Sequence, residues 1–234
     1  MVHRPSVPGD LDHPRRLWAR AAALGMLASA GLTDGTYRLG PGRLRCEGVG
    51  GSFWWRMSLH DAGRAVFCGQ DADGSHGHLR RVPVDLLAGG PAWLPWQDLR
   101  REQEDCALGY VYWWQDGAWA RAPYPEDLVD DGLALSAAWV RDDAELVLPL
   151  AEAAGGGAEG AGHPVALDGA VVAFLDRAES GTVDRAAVRA LLGAFSPDGR
   201  PAEPPAVESA HAFAVRAALT PGGAPRPGRA ARAG

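Results

Sequence analysis

Residues 70–78 read Gln-Asp-Ala-Asp-Gly-Ser-His-Gly-His, so Asp71, Asp73, His76 and His78 place two carboxylates and two imidazoles within one short stretch. Carboxylate and imidazole together are the ligand set of zinc and other transition metals, and two neighbouring carboxyls could share acid–base work. The spacing matches no established ligand motif, and a polar surface loop built on Asx turns accounts for the same residues. A second group is cationic. Arg38, Arg43, Arg45, Arg56 and Arg64 fall on the same side of an alternating pattern, with Trp54 among them. Guanidiniums interleaved with an indole suit phosphates or a single nucleic-acid strand. A solvated sheet face balanced by Glu47 and Asp61 is the simpler alternative, and the net charge of −6 makes nucleic acid an unexpected partner. The third group joins Trp113, Trp114 and Trp119 to Tyr124, Glu126, Asp127, Asp130 and Asp131. Exposed aromatics beside an acidic turn suit steering and docking of a protein. Residues 96–145 hold 12 acids against 4 Arg, so this part of the surface is expected to be strongly negative.

Several chemistries are excluded outright. The chain has no Lys, no Asn and no Ile, and all 23 basic residues are Arg. A Schiff base, a P-loop lysine and a kinase-type phosphate lysine are therefore unavailable. The missing residues are those with AT-rich codons, which points to a GC-rich bacterial genome. No GxSxG, HExxH, GxGxxG or Walker A pattern occurs. Cys46, Cys68 and Cys106 are odd in number and widely spaced, which indicates neither a disulfide framework nor a zinc knuckle and fits a reducing compartment.

The elements that must carry these groups follow from periodicity. Asp12 and Pro14 open a helix with Leu17, Ala21, Leu24 and Ala28 on one face and Gly31 as its stop. Residues 15–30 also imitate an export signal, but Arg20 interrupts the apolar run, so a cytoplasmic helix is the expectation. No window approaches the roughly 18 apolar residues of a membrane span. Alternation then predicts hairpin strands over 36–39 and 43–47, a strand over Phe53–Leu59 and a return over 64–69. Residues 82–105 read as largely helical. Asp116-Gly117 is a two-residue hairpin turn that sets Trp114 opposite Trp119 and Tyr112 opposite Arg121.

The expected fold class is α+β: a six-strand, mostly antiparallel meander with an N-terminal helix and flanking helices, plus a small C-terminal helical appendage. Residues 1–14 form a flexible N-terminus, 15–150 the Trp-rich domain, 151–164 a Gly/Ala linker, 165–219 the appendage and 220–234 a disordered tail. Within the appendage, residues 174–187 resemble an EF-hand loop, with Asp176 first, Gly181 at the turn and Asp184 ninth. Ala178 and Ala187 stand where two coordinating side chains belong, so calcium is not expected. An αα-hairpin capped by Thr182 is the alternative. In general type the chain resembles the compact, acidic α+β immunity proteins that neutralise bacterial toxins. The leading expectation is a non-catalytic protein-binding or regulatory module that needs no cofactor. A small metal-dependent enzyme or sensor on the 70–78 loop and anion binding on the Arg face are the alternatives.

Overall fold

The computed structural model describes residues 5–147, 165–195 and 202–223, arranged in two compact units. The first comprises residues 1–14 and 38–138, and the second residues 15–37 and 139–225, among those described. The expected linker 151–164 and most of the tail from 224 lie outside the described residues.

A six-stranded antiparallel meander organises the first unit, in the order β1 (Thr36–Gly40), β2 (Arg43–Glu47), β3 (Phe53–Leu59), β4 (Ala65–Asp71), β5 (Tyr110–Gln115) and β6 (Ala118–Arg121). The hairpin register is the expected one, with Trp114 paired to Trp119 and Tyr112 to Arg121 across Asp116-Gly117. One face carries Leu44, Cys46, Trp55, Met57, Phe67, Tyr110 and Tyr112, all buried. Along it Trp55, Phe67 and Tyr110 stack at centroid spacings of 6.0 Å.

The other face differs from the expected solvated Arg surface. Val66, Cys68, Val111 and Trp113 lie on it and are buried under Leu86, Leu87, Leu94, Leu99 and Leu108. Leu99 belongs to α2 (Trp96–Glu104), and from that helix Glu102 reaches Arg56 with a two-pronged pair at 2.5 and 2.9 Å. A guanidinium that looked solvent-facing is thus an interior group: desolvation lowers its pKa, but Cys68, Glu102 and Asp98 together outweigh that and leave it raised. Only α2 of the expected helical stretch 82–105 is helical: Pro83, Gly89-Gly90 and Pro91 break the segment before it into turns.

Residues 5–13, expected to be flexible, are held down instead. Ser6 and Leu11 are buried, and Asp12 O accepts a hydrogen bond from Trp119 Nε1 at 2.7 Å. Pro8–Asp10 makes a short 3-10 turn beside β6, so the N-terminal segment protects that sheet edge.

In the second unit α1 (Pro14–Ser29) is buried continuously from Leu17 to Leu27. A helix with one apolar face is the expectation; small residues at Ala19, Ala21, Ala22, Ala23 and Gly25 let it be packed on every side instead. Phe213 lies over Gly25, where a Cβ would come within 2.3 Å of its ring. Trp18 Nε1 donates to Ala217 O at 2.9 Å, which ties α1 to the C-terminal helices rather than to the sheet domain. Those helices are α4 (Val165–Glu179), α5 (Arg185–Ala194) and α6 (Pro204–Arg216), following the short α3 (Leu133–Ala137) of the first unit. The EF-hand-like stretch is an αα-hairpin whose cap is Asp184, accepting from Ala187 N at 2.7 Å, rather than Thr182. Asp176, the first position of the resemblance, pairs with Arg16 at 2.8 Å. Among the described residues no helix is long and apolar enough to cross a membrane.

Candidate protein-binding site: two loops tied over buried acids

Two loops of the first unit meet beyond the ends of β4 and β5. The first runs over residues 71–82 and the second over 122–135. Both are built from short polar residues that satisfy their own backbone, which is why they hold a fixed shape without regular structure. In the first, Asp71 Oδ1 accepts from the N–H groups of Asp73 and Gly74 at 3.0 and 2.9 Å, and Asp71 N donates to Ser75 Oγ at 2.9 Å. In the second, Asp130 Oδ1 accepts from Gly132 N at 2.8 Å, and Asp131 Oδ1 accepts from Leu133 N and Ser6 N at 3.2 and 3.3 Å.

The loops are joined at three levels. Deepest is Ser75 Oγ, which donates to Asp131 O at 3.1 Å. Above it, Gly132 and Gly109 approach Ser75 so closely that a Cβ on either would lie within 2.4 Å of Ser75 Oγ. At the surface Arg80 pairs with both carboxylate oxygens of Asp127 at 2.7 and 2.9 Å, holding that carboxyl below the usual range. A buried acid–phenol cluster lies beneath. Asp131 is fully buried and Asp130 and Asp71 nearly so, with Tyr112 Oη 2.9 Å from Asp131 Oδ2. Tyr110 donates to Ser136 Oγ at 2.8 Å, and Ser136 passes its own hydrogen to Gly132 O at 2.8 Å. Burial pushes the phenols of Tyr110, Tyr112 and Tyr124 up, so all are neutral.

Against this geometry the sequence-derived residues separate. Trp113 and Trp119 are core residues at 6% exposure, and only Trp114 of the three reaches the surface, edge-on to Trp119 and His13. Asp130 and Asp131 are interior acids that bind backbone, leaving Glu126 and Asp127 as the exposed half of the acidic turn. Arg121, opposite Tyr112 in the hairpin as expected, lies 3.6 Å over the Tyr124 ring. Tyr124 Oη is buried close to Asp131 and Tyr112 but forms no well-aligned hydrogen bond with either. Tyr124→Phe is therefore expected to leave stability unchanged or raise it by up to about 1 kcal/mol, since an unpaired buried hydroxyl is a net cost. An increased urea midpoint at unchanged slope, or an unchanged one, is the expected reading.

In the 70–78 loop the candidate ligands Asp71, Asp73, His76 and His78 are not brought together as one group. Asp71 is spent on backbone N–H groups, Asp73 is exposed, and His76 Nε2 donates to Asp73 O at 2.9 Å. The turn His76–His78 is a single 3-10 turn, which keeps the two imidazoles from the shared side an extended chain would give them. Among the described residues no group of three or more His, Cys, Asp or Glu side chains is placed to hold a metal ion. The cationic group is largely paired internally. Arg38 and Arg45 share Glu47, Arg45 lies 4.2 Å over Trp54, Arg56 holds Glu102, and Arg64 covers Trp93 at 4.9 Å and bonds Asp61 O. Arg43 and Arg38 are the exposed members.

What the sequence reading passed over is the apolar dressing of the two loops. Leu79 is 71% exposed, Val82 75%, Val129 57% and Leu135 49%. Val82 falls at the start of the stretch expected to be helical, where it would face a core; the signal against that was Pro83 directly after it, which disfavours a helical conformation at the preceding residue. Comparisons with protein-family models, with curated proteins and with solved structures find no match for this chain.

Proposed function

We propose that the chain is a non-catalytic protein-binding module whose partner docks on the lip formed by residues 79–82 and 126–135. One observation carries this reading: of the eight exposed large hydrophobics among the described residues, Leu79, Val82 and Val129 sit on two loops that are tied together, and Leu135 on α3, at the end of the second loop. Single exposed aliphatics are ordinary, whereas a group of them on one rigid lip is the usual mark of an interaction surface. Arg81, Glu126 and the Arg80–Asp127 pair supply charges of both signs at its rim, as interfaces with a dry centre have. The buried anchors fix the loops in advance, which lowers the entropy cost of docking.

The test pairs capture with titration. A protein captured from the source lysate by the wild type is titrated against Leu79→Asp/Val129→Asp and against a control, Val172→Asp/Val215→Asp, on the helices of the second unit. The lip variant is expected to weaken affinity by roughly tenfold or more, with stability shifted by only about 0.5 kcal/mol per site. Equal affinity for the lip variant and the wild type removes the reading.

A further inference from the structure

The hydroxyl of Tyr112 has one hydrogen and two acceptors in reach, Ser6 O at 2.8 Å and Asp131 Oδ2 at 2.9 Å. If Asp131 is ionised, Tyr112 can serve only one of them. If Asp131 carries a proton on Oδ2, the chain Asp131 Oδ2–H to Tyr112 Oη–H to Ser6 O satisfies every contact and gains one hydrogen bond. The surroundings favour the same form. Asp131 is 0% exposed, and the groups facing it are Asp130, Asp71, Tyr110, Tyr112 and Tyr124 from the sheet and loops, with backbone N–H groups of Ser6 and Leu133. Arg121, beside the cluster, spends its Nε and Nη1 on the carbonyls of Ser6 and Ala122 and its flat face on Tyr124, and among the described residues no guanidinium forms an ion pair with Asp131. A fully buried carboxylate with no counter-ion is costly, and the ordinary escape is to remain neutral.

We propose that Asp131 is held as the neutral acid in the folded protein, and that its ionisation as pH rises withdraws the Tyr112 hydroxyl from Ser6 and slackens the join between the N-terminal segment and the second loop. The direction of its titration agrees: desolvation, with Asp130 beside it, pushes the carboxyl above the usual aspartate range despite the bonds from Tyr112, Leu133 and Ser6. The inference stands apart from the docking proposal, since it concerns what holds the loop and not what binds it.

The stability consequence has a definite sign. A carboxyl with a raised folded-state pKa contributes fully below the unfolded value, roughly 3.9, and that contribution is lost as pH rises through the folded value. The folding equilibrium constant of the wild type relative to Asp131→Asn, which mimics the neutral acid, is therefore expected to fall by up to about tenfold per pH unit over that interval. Infrared spectra give the direct reading. At pH 6 the wild type is expected to show a protonated-carboxyl C=O stretch that shifts in heavy water, is absent from Asp131→Asn, and fades as pH is raised. Tyr112→Phe, which keeps the ring but removes the acceptor of the acid's proton, is expected to move the same band and decides the matter if Asp131→Asn does not fold. A spectrum with no such band, a band that neither variant alters, or a wild-type to Asp131→Asn ratio that is flat with pH overturns the proposal.

Discussion

Arg20→Met will destabilise the folded chain by about 3–5 kcal/mol, the range for removing one partner of a buried ion pair. Arg20 is 2% exposed on α1, where Nε donates to Asp143 Oδ1 at 2.7 Å and Nη1 donates to the carbonyls of Trp139 and Val140 at 3.2 and 3.1 Å. Those carbonyls end a short helical turn and have no hydrogen of their own to share, so the guanidinium acts as its cap. Methionine fills a similar volume but withdraws a buried donor from two carbonyls and one of the two donors to Asp143 Oδ1. Arg16, which also pairs with Asp143 and reaches Asp176 and Glu179, keeps that carboxylate from being wholly abandoned and holds the loss within this range. Arg20→Lys keeps the charge and loses the fork, so it is expected to fall between the two. Urea unfolding checks the size through the midpoint. Acid checks the cause. Burial would raise the Asp143 carboxyl, but Arg16 and Arg20 hold it below the usual range, so its contribution is present above a pH of roughly 3.9 and fades as pH falls through the lowered value. The gap between wild type and Arg20→Met should narrow there, and a gap that stays constant into acid would mean packing alone is responsible.

Gly132→Ala will cost about 2–5 kcal/mol and loosen the lip with it. Gly132 has φ +87°, a left-handed conformation that costs an L-residue about 1–2 kcal/mol. Its added Cβ would also stand 2.4 Å from Ser75 Oγ, 3.1 Å from Asp71 Cβ and 3.2 Å from Ser75 N. Ser75 cannot simply turn away, because its hydroxyl accepts from Asp71 N and donates to Asp131 O. Relief of the clash must break one of those bonds or part the loops, which adds about 1–3 kcal/mol. Gly89→Ala isolates the first of these costs: φ there is +73° and nothing lies within 4 Å of the position a Cβ would take. If both variants lose the same stability by thermal unfolding, the contact with Ser75 has no energetic role.

The strands were legible because one face of each alternates cleanly with the other, and Asp116-Gly117 fixed the hairpin register on its own. The chemistry of the second face was not. Arg56 sits in a period-two pattern like any solvated residue, and only the arrival of Glu102 from a helix forty-six positions away makes it an interior group. The same holds for Asp130 and Asp131, which read as an acidic surface and act as internal acceptors for backbone N–H groups. Local pattern reports which side of a strand or turn a residue takes; it does not report what else packs on that side. The two-loop lip escaped for the opposite reason. Leu79, Val82 and Val129 depart from the rule that apolar residues seek a core, and for Val82 the departure follows from Pro83 and Pro91, which break the segment into turns.

The burial of α1 also governs when the chain can fold. Trp18 and Ala217, joined by a hydrogen bond, are 199 positions apart, and Arg16 and Arg20 wait on Asp143. At synthesis rates of about 5–20 residues per second, α1 leaves the ribosome roughly ten to forty seconds before Ala217 is made. Through that interval a helix of alanine, leucine and tryptophan has neither its packing partners nor its counter-ion, while the sheet between them can already close from contacts of short separation. The order of assembly is therefore set by chain connectivity: strands first, and α1, although made before them, among the last of these elements to be secured.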